Sequence, residues 1–358
     1  MLPGVFEYQS LLVEESGQMT EIENVIPMMT ANATNTYLHG LQGDKPQQLQ
    51  RVILIGDHKQ LPPIVQSHYL SENCNAQQSL LARLVDVGTK YLQLNKQGRC
   101  RPELAQLFSW NYADLGNMPH TENNHEFIRA NPGFLNIMQF IDVQDFNGAG
   151  ETQPHPFFYQ NLGEAEYLVA VYSFMRCIGY PADKIAVLTT YNGQKSLLSD
   201  IFSYRCASNP FLGMPKCIST VDKYQGQQAD FVLLSLVRTK SLGYLGDVRR
   251  MIVAVSRARL GLYIFGRGQL FLPKSNISDS NLNKTRSNTI HNCFRPLLEL
   301  PINELQLLPN EHYETCERLS KHNSGAQLPP PVDPLRIRSV EQMCDFSSQF
   351  LQSRLESL

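Results

Sequence analysis

The sequence predicts an α/β protein built from parallel strand–helix units. Three observations carry that expectation. Strand-like and helix-like patterns alternate through residue 271, and such alternation builds parallel βα units with ligand sites at the carboxyl ends of strands. Two runs, FVLLSLV (231–237) and GLYIFG (261–266), are apolar enough for strands buried on both faces. Each lies beside a polar segment rich in Gln or Arg, the way a parallel sheet presents polar groups to a ligand at its edge.

In chain order, strands are predicted at 10–13, 52–55, 90–94, 137–143, 185–189, 231–237 and 262–265. Helices are predicted at 20–29, 77–87, 102–115, 163–178, 194–206 and 248–257. Beyond residue 271 the composition changes. Residues 273–292 are rich in Ser, Asn and Lys and read as a linker, and 327–334 is a proline-rich, extended stretch. Residues 339–358 place Val340, Met343, Phe346, Phe350, Leu351 and Leu355 at helical spacing, which predicts a packing helix.

A chain of 358 residues with 42% hydrophobic content can bury two or three cores. Its net charge of −2 makes any nucleic-acid site a local track, not a basic surface. The eight cysteines come no closer than eleven residues apart, which speaks against metal knuckles and a compact disulfide framework. Reduced thiols, cytosolic or nuclear, are the plain reading. No apolar run is long enough to span a membrane, and the first ten residues lack the pattern of a signal peptide.

Several polar segments punctuate the predicted strands. The first strand runs into Glu14-Glu15-Ser16-Gly17-Gln18. In a nucleotide-hydrolysing site, one carboxylate so placed holds Mg²⁺ and the other orients the attacking water, although an acidic pair at a strand end is more often simply solvated. The second strand runs into GDHKQLPP (56–63), where paired prolines stiffen a loop and the Gln60 amide can sense a γ-phosphate. QGRCRP (97–102) places Arg99 ahead of a helix opened by proline. TTYNGQ (189–194) opens another helix, whose backbone amides suit an anion. Residues 220–225 carry hydroxyl, carboxylate and amide groups able to contact phosphate and ribose. Arg249, Arg250, Arg257 and Arg259 lie on or beside one predicted helix, with Arg250 and Arg257 seven apart on one face. Arg259 reads as part of a solvated basic face. The loop G-x-x-x-x-G-K-[ST], which cradles phosphates, occurs nowhere in the chain.

With these six segments in this order, the chain resembles the superfamily 1 helicases of the group that includes the nonsense-mediated-decay helicase. EESGQ is similar to their DExxQ box and GDHKQLPP to their third motif. QGRCRP and TTYNGQ resemble their Q-Y-R-x-x-P and P-Y-x-x-Q elements, and 220–238 and 248–266 their fifth and sixth motifs. The stretches FFYQNLGEAEYLVA and GYPADKI resemble more closely the branch that binds introns in the spliceosome.

The resemblance implies two RecA-like P-loop NTPase lobes. Residues 1–95 would be the C-terminal part of a truncated first lobe, 96–271 the second lobe, and 272–358 an extension. ATP would sit between the lobes and single-stranded RNA across their top. It assigns Glu14 to Mg²⁺ and Glu15 to the catalytic base. Gln60 would touch the γ-phosphate, and Arg99 and Arg257 would be cross-cleft arginines. Gln18, Asp57, Tyr191, Gln194 and Gly226 would bind nucleotide. Thr220, Gln225 and Arg250 would bind RNA or couple it to the nucleotide, with Tyr191 on the same coupling surface.

The implied protein is nuclear, uses ATP and Mg²⁺, and binds intron pre-mRNA and spliceosomal proteins; no membrane and no homo-oligomer is expected. Glu14 stands where the family carries Asp, and Gly98 where it carries Tyr. Without a phosphate loop, the chain by itself is expected to be inactive as an ATPase. A non-catalytic RNA-binding scaffold of the spliceosome and a related DNA helicase remain as alternatives.

Overall fold

The computed structural model describes residues 8–38, 49–271, 291–320 and 333–356. The predicted linker at 273–292 and the proline-rich stretch at 327–334 lie almost wholly outside them. The chain divides into two compact units, Met1–Leu94 and Asn95–Leu358.

In the first unit, β1 (Ser10–Val13) pairs in parallel with β2 (Arg51–Leu54). The connecting α1 (Glu21–Leu38) starts with a capping box. Thr20 N and Oγ1 donate to Glu23 Oε2 at 2.7 and 2.8 Å, and Glu23 N donates back to Thr20 Oγ1 at 3.3 Å. The strand predicted at 90–94 does not form. Its side chains find no sheet to join, and Leu92 and Leu94 are 98% and 89% exposed. An apolar alternation is not a strand without a neighbouring edge to supply its ladder hydrogen bonds.

The second unit is built on a five-stranded parallel sheet. Its strands are β3 (Met138–Asp142), β4 (Ile185–Thr189), β5 (Cys217–Thr220), β6 (Ala229–Ser235) and β7 (Ala258–Gly266), in the spatial order β3-β7-β6-β4-β5. Alternation of side chains sorts the core onto two faces. Ile185, Val187, Phe231, Leu233, Tyr263 and Phe265 join one buried cluster with α3 (Leu162–Cys177) and α4 (Asn192–Arg205). Ala186, Leu188, Val232, Leu234, Leu262 and Ile264 are equally buried on the other face.

Three predicted helices are shorter than expected, and that at 77–87 forms only over Leu80–Asp86. The helix predicted at 102–115 forms only over α2 (Pro102–Ser109), and the one at 248–257 only over α5 (Val248–Val255). Arg250 therefore lies on α5, whereas Arg257 lies beyond it in the turn that enters β7, so the two do not share a helix face. A hairpin, Glu151–His155 with Phe158–Asn161, precedes α3 and went unpredicted.

Described parts of the tail pack on the second unit. Residues 291–298 are helical and press Phe294 against Phe140 and Phe271. The C-terminal helix α6 (Val340–Glu356) forms as predicted and lies on α3, with Phe346 and Phe350 against Phe174 at ring distances of 5.6 and 5.4 Å.

Candidate functional site

In the first unit, two loops leave the carboxyl ends of paired parallel strands side by side. Ser16 N and Oγ both donate to Ile55 O, at 2.9 and 3.1 Å. Glycines permit the approach, since a Cβ on Gly17 would lie 2.9 Å from Asp57 O and one on Gly56 2.8 Å from Gly17 N. The structure thereby gathers Glu14, Glu15, Gln18, Asp57 and Gln60 at one edge. Gln18 Nε2 donates to Glu15 Oε2 at 2.6 Å, and Gln60 Nε2 donates to Asp57 Oδ2 at 2.8 Å. Glu15 sits at φ +51°, a conformation L-residues seldom take and one found at strained functional turns.

Glu14 and Glu15 are both exposed. Among the described residues there is no cluster of three or more His, Cys, Asp or Glu side chains fit to cage a metal. Mg²⁺ bound to a nucleotide commonly takes only one or two carboxylates, the rest of its shell being phosphate and water. The paired glutamates fit that donor set.

In the second unit, Arg99 and Arg257 come together. Arg99 Nη1 donates to Ser256 O at 3.1 Å and its Nε to Gln228 Oε1 at 3.1 Å. Arg257 Nη2 donates to Ser256 Oγ at 2.7 Å and its Nη1 to Gln227 O at 3.4 Å. Arg257 is only 1% exposed, and Arg99 is half-buried. Gln227, Gln228 and Arg257 immediately precede β6 and β7. The pair therefore occupies the amino edge of this sheet, not the carboxyl edge that parallel topology suggested. Gly98 is closely walled: a Cβ there would meet Met118 Sδ at 2.9 Å and the His120 ring at 3.1 Å. Arg101 is 1% exposed, and burial pushes its guanidinium down to about 10. Its amide donates to Arg259 O at 3.2 Å, tying the helix start to β7.

The carboxyl edge carries a different cluster. Tyr191 Oη accepts from Arg238 Nη1 at 3.3 Å and from Tyr244 N at 3.2 Å. The Arg238 guanidinium lies 4.1 Å over the Tyr159 ring, and that of Arg250 lies 5.0 Å over Tyr244. Arg238 also pairs with Glu151 at 2.8 Å. Burial alone would raise the Glu151 carboxyl, but Arg238 and the amides of Thr239 and Lys240 hold it below the usual range.

Arg250 Nε donates to Asp222 Oδ1 at 2.9 Å, joining α5 to the short helical turn Asp222–Tyr224. Thr220 is buried at the carboxyl end of β5. Gln225 is half-buried and Gly226 is exposed at φ +78°, in the crossover that returns to the amino edge.

Gln194 does not face this surface. It is fully buried, its Oε1 accepts from Asn161 N at 2.7 Å, and its Nε2 donates to Asn161 O and Ser235 Oγ at 2.9 and 3.1 Å. Both ends of its amide are occupied within the core, so it anchors the hairpin rather than offering a polar group to nucleotide. Beside it, Glu164 Oε2 accepts from Ser235 Oγ at 2.6 Å and Val237 N at 2.8 Å. Burial pushes the Glu164 carboxyl up to about 8 against those hydrogen bonds. Val237 is held at φ +73°, a genuine outlier for a β-branched residue. Arg259, expected on a solvated face, is instead paired with Glu126 at 3.1 Å and with Asp230.

Sequence reasoning passed over Ser256, Arg238, Tyr244 and Glu164. Arg238 ends the 220–238 segment and Ser256 precedes Arg257, so their positions in the motifs were the available signal.

An AAA-domain family profile matches residues 76–269 and a second AAA-domain profile matches residues 2–68. The chain belongs to this family of AAA-domain proteins, and its parallel-sheet architecture is that of RecA-like helicase lobes. Among curated relatives, it is 43% identical over 95% of its length to the mouse protein named RNA helicase aquarius, matching 21% of that protein. It is 32% identical over 69% of its length to the fission-yeast pre-mRNA-splicing factor cwf11, matching 19% of it. A mouse NFX1-type zinc finger-containing protein 1 is 30% identical over 91% of this chain and is matched over 16% of its own length. The chain thus spans about a fifth of the length of these relatives. No helix among the described residues is long and apolar enough to cross a membrane.

Proposed function

We propose that this chain is the C-terminal motor portion of an ATP-dependent RNA helicase that binds intron RNA during nuclear pre-mRNA splicing. Similarity to an RNA helicase and to a splicing factor supports the reading. The observation that carries it is the pairing of Arg99 and Arg257 on Ser256, at the sheet edge opposite the Arg238–Tyr191–Tyr244 cluster. Two arginines brought together at one edge serve an anionic transition state, where such groups are worth about 10³–10⁵ in rate. At the other edge the exposed Tyr244, with Arg250 over its ring, serves a single strand by stacking and by phosphate contact, with the buried Tyr191 beneath it.

In this reading Glu14 takes part in holding Mg²⁺, whose chemistry is to neutralise charge on the β- and γ-phosphates. Glu15 orients and deprotonates the attacking water, and Gln18 holds the Glu15 carboxylate. Asp57 fixes the Gln60 amide for the γ-phosphate. Thr220, Gln225 and Gly226 lie on the path between the arginine pair at the amino edge and the cluster at the carboxyl edge, and Arg250 braces that path through Asp222. Partners are intron pre-mRNA and spliceosomal proteins.

Because its sequence lacks a phosphate loop, the isolated chain binds RNA without turning over ATP. The test is phosphate release and RNA binding by the purified chain and by the full-length protein. RNA-stimulated hydrolysis only in the full-length protein is the expected result; turnover by the chain alone, or none by the full-length protein, overturns it. Single-strand affinity should fall with salt with a logarithmic slope of about −0.7 per phosphate contact, and RNA should outcompete DNA of equal length. A non-catalytic scaffold is the second reading, favoured by the missing phosphate loop and by Glu in place of Asp at position 14. It predicts that Arg257→Ala in the full-length protein leaves splicing intact.

A further inference from the structure

We propose that the hairpin 151–161 is a fixed arm that presents Phe157 as a stacking side chain for a base of single-stranded RNA; the inference rests on the RNA-helicase reading and extends it to a residue outside the motifs. Phe157 is 81% exposed at the tip of the hairpin. It is held at φ +62°, in the left-handed region that glycine or asparagine would occupy without strain. A large apolar ring that is both exposed and strained contributes nothing to the core. Strained, exposed side chains of this kind concentrate where a ligand is met.

The arm is rigidly rooted. At its base Glu151 accepts from Arg238 Nε at 2.8 Å and Thr239 N at 2.7 Å, and Gln160 Nε2 donates to Gly193 O at 3.1 Å. Gly193 lets the outgoing strand cross the start of α4, since a Cβ there would lie 2.6 Å from Tyr159 O. Pro154 and Pro156 flank the turn and restrict its backbone.

Its placement indicates the ligand. Tyr159, two residues from Phe157 and so within about 7 Å along the chain, is the ring that lies under Arg238. Tyr159 packs against Tyr191 at 5.2 Å, and Tyr191 against Tyr244 at 5.5 Å. Tyr244, itself 54% exposed, carries Arg250. Phe157 thus extends a row of rings and guanidinium groups. Tyr191 is buried and Arg238 nearly so, and they form the support of this row; Tyr244 and Phe157 are its exposed rings, the kind of group on which a single strand stacks. At the tip Thr152, Gln153 and His155 are exposed and polar, Pro154 and Pro156 are exposed beside Phe157, and Phe157 is its one largely exposed aromatic ring.

The experiment measures the affinity of the full chain for a fluorescently labelled oligouridine at several salt concentrations. Phe157→Ala is expected to weaken binding about tenfold, and Phe157→Trp to restore it. The salt slope should stay unchanged, because no phosphate contact is removed. Phe157→Gly should show the same loss while its thermal midpoint is unchanged or higher, because glycine relieves the positive φ; a structural role would move the midpoint down. Wild-type affinity in the Ala and Gly variants overturns the stacking arm while leaving the helicase reading intact. Failure of the unaltered chain to bind oligouridine overturns both. Wild-type RNA affinity together with lost incorporation into spliceosomes in nuclear extract would make the tip a protein contact instead.

Discussion

Arg99 and Arg257 share one residue: Arg99 donates to the carbonyl of Ser256 and Arg257 to its hydroxyl. They are far apart in sequence, yet each guanidinium is oriented by the same turn between α5 and β7. Arg257→Ala in the full-length protein should lower RNA-stimulated phosphate release by about 10³-fold, within the range for such arginines. Ser256→Ala removes the two hydrogen bonds of the hydroxyl, from Arg257 Nη2 and to Val253 O, each worth about 1 kcal/mol, and leaves the carbonyl contact of Arg99 in place. Its effect on rate should be about tenfold or less. Equal losses for the two variants would mean that the serine hydroxyl, not the arginine charge, is what matters.

The second prediction concerns pH. Glu164 is buried with its carboxyl raised to about 8. The folded chain therefore binds a proton that the unfolded chain has released above about 4.5. The stability contributed by the protonated group is full at low pH and is lost as pH rises through about 8. Glu164→Gln cannot titrate and should flatten the decline in melting temperature between pH 5 and pH 8, which a thermal scan at a series of pH values would read.

Glu151 titrates in the opposite sense. Its carboxyl is held below the usual range, so its stabilisation is present at neutral pH and is lost as pH falls through its folded-state value. Arg238→Ala leaves this carboxylate largely buried with its charge unpaired, at a cost of about 3 kcal/mol. Chemical denaturation at neutral pH should show the loss, and the double variant with Glu151→Gln should recover part of it.

Gly193→Ala tests the seat of the hairpin. The new Cβ would stand 2.6 Å from Tyr159 O, backbone that cannot simply swing aside. Overpacking of this kind costs about 1–3 kcal/mol. Oligouridine affinity should fall with it, because Tyr159 and Phe157 ride on the displaced strand; unchanged affinity would separate the hairpin from RNA binding.

Much of the second unit could be read from the sequence because its strands are buried on both faces. Residues 185–189 and 231–235 appear as unbroken apolar runs and form β4 and β6. Residues 90–94, where Tyr91, Leu92 and Leu94 stand among Lys90 and Gln93, form no strand, because pairing depends on a neighbouring edge that composition does not encode. The hairpin escaped notice because Thr152, Gln153 and His155 give it no apolar alternation. The site was legible as a set of motifs but not as a geometry. Arg250 and Arg257 looked like one helix face until α5 ended at Val255. Gln194 looked available until its amide was found spent on Asn161 and Ser235.

Eight residues, 221–228, carry the chain from the carboxyl end of β5 back to the amino end of β6. Fully extended, the nine steps from Thr220 to Ala229 reach at most about 32 Å, and the return along the seven-residue β6, about 20 Å, together with a crossing of two strand spacings, about 10 Å, takes up most of it. The helical turn at Asp222–Tyr224 shortens it further. A connection with so little slack behaves as a push-rod: a shift of Thr220 on one edge must be met by a shift of Gln227 beneath Arg257 on the other. Lengthening it by a pair of glycines would let each edge work alone, so RNA would still be held while its grip ceased to register in the rate of hydrolysis.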